Sequence, residues 1–213
     1  MGSHDVPGAR LLDLVAVMDR LRSPGGCPWD AEQTHHSLLP HLLEETHEVI
    51  EAIERPASDP HRRAHVVEEL GDLLLQIVFH ARVGREHPEE PFDIDQVAAG
   101  IVEKLVRRHP HVFADVEVDG AEQVAANWDQ IKAAEKQRTG IFDGIPASLP
   151  ALARAQKMLD RLGDLEPAGP FEMLTDPLER ALLDAVQLAR GAGRDAEASL
   201  RAALNRLSSA PSQ

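Results

Sequence analysis

The 213-residue sequence predicts an all-α fold, on three observations. Apolar residues recur at three- and four-residue intervals in segment after segment, the period of a helix buried along one stripe. Breakers rich in Pro and Gly separate those segments. Strand-like alternation is confined to one weak candidate, Val112 to Val118.

Leu11, Leu14, Val15, Met18 and Leu21 set a first helix over about Arg10 to Leu21, stopped by Ser23-Pro24-Gly25-Gly26. Cys27-Pro28-Trp29-Asp30 reads as a loop, and Thr34 to Ser37 as one helical turn. Pro40 suits the first turn of the next helix, since its missing N–H is not needed there. That helix runs into the break from Arg55-Pro56 to Pro60. A long third helix follows over about His61 to Gly84, with the nearly all-apolar stretch Leu73 to Phe79 expected to be buried. Asp93 and Gln96 have the spacing of a capping box for a helix to Arg108. Asp119 and Glu122 repeat it for a helix over about Ala121 to Arg138, and a sixth is expected from about Leu149 to Leu162.

Composition narrows the function. Hydrophobic content of 43% and charged content of 27% are ordinary for a folded globular chain. A formal charge of −14 argues against nucleic-acid or anionic-membrane binding and leaves only local cationic sites for phosphates. The single cysteine, Cys27, excludes an intrachain disulfide and fits a reducing, cytoplasmic setting. No apolar run approaches the roughly 20 residues of a membrane span, and no signal-peptide pattern is evident.

The chemistry concentrates between His41 and Asp72. Glu44, Glu45 and Glu48 fall among Leu42, Leu43, Val49, Ile50 and Ile53, while Glu69 and Asp72 fall among Val66, Val67, Leu70, Leu73, Leu74 and Ile77. Residues three apart share a helix face, so Glu45/Glu48 and Glu69/Asp72 each form a two-carboxylate jaw. Four carboxylates brought together repel and lose hydration, which a fold tolerates only if cations neutralise them or their pKa values rise. Oxygen ligands in that number suit Mg²⁺, Mn²⁺ or Ca²⁺ rather than zinc. For any one of these residues, a solvated charge on an amphipathic helix is the competing explanation.

Glu44-Glu45-x-x-Glu48 followed by Glu69-x-x-Asp72 resembles the signature of the MazG family of all-α nucleoside triphosphate pyrophosphohydrolases. Gly26-Cys27-Pro28-Trp29-Asp30 with Gln33, the run Lys104 to Phe113, and Asn127-Trp128-Asp129-Gln130-Ile131-Lys132 extend the resemblance over roughly residues 10–160. It implies an all-α helical bundle of the NTP pyrophosphatase type, a homodimer, and hydrolysis of a nucleoside triphosphate to the monophosphate and pyrophosphate. It also implies Mg²⁺, with Mn²⁺ as the alternative, held by Glu45, Glu48, Glu69 and Asp72, and Glu44 beside them either as a group supporting those ligands or as the base for the attacking water.

Other residues join this expectation as substrate contacts. Lys104, Arg107 and Arg108 share one end of a helix, where the helix dipole alone would also favour cations. With the family resemblance they become candidates for phosphate, and His109 for phosphate or for capping the helix. Trp128 and Lys132, at i and i+4, pair an indole for stacking with an ammonium for phosphate; Trp29 and Asn127 are further candidates. Glu44-x-x-His47 is the element of ferritin-like di-iron bundles, but such bundles need a second Glu-x-x-His, and Glu69-x-x-Asp72 stands in its place. A non-catalytic helical interaction module is the third alternative, although it has no use for two carboxylate jaws.

The organisation expected is a catalytic domain over 1–163 and a C-terminal helical segment over 164–213. Leu73 to Arg82 aligns with Ala181 to Arg190, 108 positions on, with Pro177 where Glu69 stands and Arg180 where Asp72 stands. Some MazG proteins carry two domains in tandem, so the segment resembles a worn second copy without ligands. A chance likeness between amphipathic helices is the alternative.

Overall fold

The computed structural model describes residues 6–135, 140–163 and 173–208. Among the described residues there are helices and turns and no strand. In chain order the helices are α1 Ala9–Arg22, α2 Pro28–Glu32, α3 Leu39–Glu54, α4 Arg62–Gly84, α5 Ile94–Arg108, α6 Pro110–Phe113, α7 Ala121–Glu135, α8 Ala151–Leu162, α9 Pro177–Gly191 and α10 Ala196–Ser208. The all-α expectation holds, and the strand candidate over Val112 to Val118 does not: its first residues belong to α6, begun by Pro110.

The chain divides into two compact units, Met1–Ala125 and Ala126–Gln213. That division falls earlier than residues 163 and 164, because α8 packs on α9 and α10.

In the first unit α4 is the central element, packed by α1, α3 and α5. Its core joins Met18 of α1, Leu38 before α3, and Val78 and Phe79 of α4, with Leu14, Val15, Leu75, Val83 and Ile94 packed around them. The apolar stretch expected to be buried is only half so: Gln76, Val78 and Phe79 are buried, whereas Ile77 points outward.

A paired charge network fixes the end of α4 to α1. Arg22, whose side chain is only 6% exposed, gives Glu86 two hydrogen bonds of 3.0 and 2.8 Å. Its remaining amine reaches the Asp30 carbonyl of α2, and its guanidinium lies 6.0 Å from the centre of the Phe79 ring. Arg82 joins Asp19 to Glu86 at 2.8 and 2.7 Å. The neighbouring arginines hold the Glu86 carboxyl below its usual range.

The Gly-Cys-Pro-Trp stretch is a close turn rather than an open loop. A Cβ on Gly26 would run into the Leu21 and Arg20 carbonyls, and Cys27 N–H donates to the Leu21 carbonyl at 2.7 Å. Pro28 then starts α2, whose five residues are too few for periodicity to reveal. Gln33, buried, donates to the Trp29 carbonyl and accepts from the Ser37 hydroxyl, so it braces the path from α2 to α3.

Helix ends follow local chemistry where the sequence specifies it. The Asp93/Gln96 capping box forms as expected, with reciprocal bonds of 3.0 and 3.1 Å. At α7 the Asp119 N–H instead donates to Gln123 Oε1 at 2.7 Å, one residue beyond the expected Glu122. The C-terminal end of that helix near Arg138 falls outside the described residues.

In the second unit α8, α9 and α10 pack on one another around Leu159, Val186 and Ala196. Asp176 caps α9, accepting from Leu178 N–H at 2.7 Å, with Pro177 in the first turn.

Candidate metal and substrate site

The acidic residues gather on the α3–α4 pair. The two helices run antiparallel: Glu45 feels the charge of Asp72, Glu69 feels that of Glu48, and nearer the turn Arg62 donates to the Ile53 carbonyl at 2.9 Å. The two jaws therefore face each other across the helix seam. One oxygen from each of Glu45, Glu48 and Glu69 lies within 4.8 Å of the others. Asp72 stands outside that triad, yet its charge acts on both Glu45 and Glu69.

The electrostatics are those of an under-neutralised cluster. Burial pushes the Glu45 carboxyl up, and the charges of Asp72 and Glu48, a hydrogen bond shared with Glu48, and Glu44 push it further. Burial likewise raises Glu69, reinforced by Glu48, Glu68 and Asp72 and opposed by His65. A cation placed among these oxygens would reverse every one of the charge effects, so the donor set fits a hard divalent ion.

His65, Glu68 and Glu69 form a second converging group that sequence spacing alone did not single out. Its signal was present: His65 precedes Glu68 by three residues on the same helix. Among the described residues the histidine in reach of Glu69 is thus His65, and His47 joins neither converging group. Two further polar residues continue the seam. Gln76 and His80 follow Asp72 by one and two turns of α4, and Gln76 Oε1 and His80 Nε2 are buried without hydrogen-bond partners. His80 Nδ1 lies 2.8 Å from His35 Nδ1, and burial with His35 beside it lowers the His80 pKa.

The expected substrate contacts are distributed more widely. Trp29, 52% exposed, stands at the start of α2 with its ring edge-on to His41 at 5.9 Å and to Phe79 at 6.4 Å. Lys104 and Arg107 are exposed on α5, and Arg107 pairs with Glu103 at 3.3 Å. Arg108 is buried, at 8% exposure, so these three cations do not share one solvent-facing surface. His109 closes α5, its Nδ1 2.7 Å from the Leu105 carbonyl. Asn127, Trp128 and Lys132 lie half-buried on α7 within the second compact unit.

Fold and site together define a class: an all-α protein presenting a four-carboxylate cluster on an antiparallel helix pair. Residues 33–113, which contain that pair, match the family model described as the MazG nucleotide pyrophosphohydrolase domain. A 26.1 kDa uncharacterized protein of Streptomyces cacaoi is 47% identical over 95% of this chain and 81% of its own length. The nucleoside triphosphate pyrophosphohydrolase of Escherichia coli strain K12 is 47% identical over 71% of this chain and 57% of its own length. That of Mycobacterium tuberculosis is 41% identical over 92% of this chain and 55% of its own. This chain belongs to the MazG family. It spans little more than half the length of those two enzymes.

Proposed function

We propose that this protein hydrolyses nucleoside triphosphates to the monophosphate and pyrophosphate in the cytoplasm, with Mg²⁺, or Mn²⁺ in its place, held by Glu45, Glu48, Glu69 and Asp72. The observation that carries this reading is the convergence of Glu45, Glu48 and Glu69, with Asp72 near enough to act on two of them and with Glu45 and Glu69 both raised by burial and then by neighbouring carboxylates. When bound, the cation would polarise the phosphate oxygens and offset the charge of a triphosphate approaching an acidic surface.

The chain's own residues have separate tasks. Glu44, exposed one position before Glu45, is available to take a proton from the attacking water. Trp29 offers an exposed indole for stacking the base, and Trp128 is a second candidate. Lys104, Arg107, Arg108, His109, Asn127 and Lys132 remain the candidates for phosphate and sugar contact, Lys104 and Arg107 being the most accessible on α5.

We also propose a homodimer. Leu43, Ile53, Val67, Leu70 and Ile77 are exposed on the α3–α4 pair, an apolar surface that a second copy would cover. A monomer in sedimentation at micromolar concentration would refute that part. The activity itself is tested by incubating a panel of ribo- and deoxyribonucleoside triphosphates with Mg²⁺. The expected products are pyrophosphate and the monophosphate; orthophosphate alone, or no product, would overturn the proposal.

A further inference from the structure

Past the carboxylates, α4 carries two polar side chains with hydrogen-bonding atoms still unused. Gln76 is 6% exposed, and neither its Oε1 nor the Nε2 of His80 has a hydrogen-bond partner among the described residues. A polar atom left bare inside a protein is destabilising, and two of them one helical turn apart mark a place where a ligand completes the bonds.

Their position on the helix says which ligand. At about 100° per residue, Glu69, Asp72, Gln76 and His80 fall within an arc of about 80° on α4, one stripe that begins at the proposed metal ligands. At about 1.5 Å per residue, Gln76 stands about 6 Å and His80 about 12 Å beyond Asp72 along the axis. That interval matches the reach of a nucleoside from a metal-held triphosphate, across the sugar, to the far edge of the base. Aromatic rings stand at the same level. Phe79 precedes His80, and the exposed indole of Trp29 lies edge-on to it with ring centres 6.4 Å apart. The ring of His35, itself exposed, lies parallel to His80 at 5.1 Å and to Phe92 at 5.8 Å, so the cover over His80 is a surface side chain rather than the core.

Polarity follows from the same contacts. His35 Nδ1 and His80 Nδ1 are 2.8 Å apart and share one proton; with His35 donating, His80 keeps its own proton at Nε2. Gln76 then offers an acceptor and His80 a donor.

We infer that Gln76 and His80 read the base of the nucleoside triphosphate: Gln76 Oε1 accepts from the exocyclic amine of adenine or cytosine, and His80 Nε2–H donates to the ring nitrogen beside that amine. Of the donors on a base, the exocyclic amine projects furthest and so reaches an amide set this deeply. The inference rests on the pyrophosphohydrolase reading and gives these two residues a part in specificity, not in bond cleavage.

The test compares ATP and CTP with the triphosphates of nebularine and zebularine, the same nucleosides without the amine, in pyrophosphate release at saturating Mg²⁺. In the parent the better of ATP and CTP should exceed its amine-free analogue by about tenfold or more in kcat/KM, since the analogue leaves Gln76 Oε1 unpaired. Gln76→Met, similar in volume and without the acceptor, should bring that ratio within a few-fold. His80→Phe should lower both members of the pair alike, because the ring nitrogen it addresses is present in both. The ratio is taken within one enzyme, so poor folding of a variant does not imitate the expected result, and where a variant fails to fold the parent's own ratio decides. Equal use of both members of each pair by the parent, or a Gln76→Met ratio as large as the parent's, would overturn the inference while leaving the hydrolysis standing. Undiminished kcat/KM in His80→Phe would overturn the part given to His80. No pyrophosphate from any of the four substrates would remove the hydrolytic reading and this inference with it.

Discussion

The two ends of α4 carry carboxylates in opposite settings. Toward its start, burial raises the pKa of Glu69, and Glu48 opposite it with Glu68 and Asp72 beside it raise it further. Just past its other end, Glu86 sits between Arg22 and Arg82, and its pKa falls. The residue type is the same; the partners are not. Glu86 is held by a network that ties α1 to α4. Glu45 and Glu69, raised by burial and then by neighbouring carboxylates, instead make the metal-free fold less stable as they ionise. The direction of a carboxylate's shift thus sets the strut at Glu86 apart from the proposed metal ligands of the same helix.

The largest effect that can break this comparison is catalytic. Glu48→Ala or Asp72→Ala at saturating Mg²⁺ should lower pyrophosphate release by on the order of 10²-fold or more, with helical content intact. The same substitutions should stabilise the protein in EDTA, because like charges are removed. Near-parental turnover in either variant would return these carboxylates to ordinary surface charges.

Removing residues 164–213 probes the unit that lacks the jaws. The Leu159 side chain would lose its partners on α9 and α10. Each truncated core contact is worth about 2–5 kcal/mol, so a large drop in melting temperature is expected. Measurable hydrolysis should survive at low temperature. A shortened protein that stays folded and dimeric yet hydrolyses nothing would show that the C-terminal segment supplies groups to the reaction.

At the strut, Arg22→Met should cost about 2 kcal/mol in urea denaturation while leaving turnover per folded molecule unchanged. It strips Glu86 and the Asp30 carbonyl of a nearly buried donor, although exposure of Glu86 limits the loss. A variant as stable as the parent would mean that the network follows the fold without holding it.

Titration is the smallest and sharpest probe. Groups with raised pKa destabilise the metal-free protein when ionised, so stability should increase as pH falls from neutral through the raised values of Glu45 and Glu69 toward 4.5. Glu86 acts oppositely: its contribution is present above 4.5 and is lost as pH falls through its lowered folded value. Glu45→Gln/Glu69→Gln should flatten the upper limb alone, and Glu86→Gln the lower limb alone. Addition of Mg²⁺ should erase the upper limb in the parent. A parental profile with both limbs unaltered in these variants would dissociate the shifts from these residues.

How much of this was legible in the sequence depends on the range of the interaction. α3, α4 and α5 announce themselves because an apolar stripe repeats along many turns, and the Asp93/Gln96 box because both partners lie within one turn. The jaws are legible for the same reason, since Glu45/Glu48 and Glu69/Asp72 are local pairs. Their meeting across the seam was an inference from the short connection between helices. Arg22 was invisible, because Glu86 is 64 residues away. Gln76 was hidden inside a stretch that reads as apolar and His80 directly after it, and the burial of Arg108 could not be told from its neighbours' exposure.

The central claim, that the α3–α4 carboxylates form a divalent-cation site, is tested most directly by Mn²⁺ binding followed by electron paramagnetic resonance. The parent should bind Mn²⁺ in competition with Mg²⁺, and Glu45→Gln, Glu48→Gln, Glu69→Gln and Asp72→Gln should each weaken that binding by about tenfold or more, whereas Glu86→Gln should leave it unchanged. Binding that is equal in all five variants, or absent from the parent at millimolar Mn²⁺, would contradict the assignment.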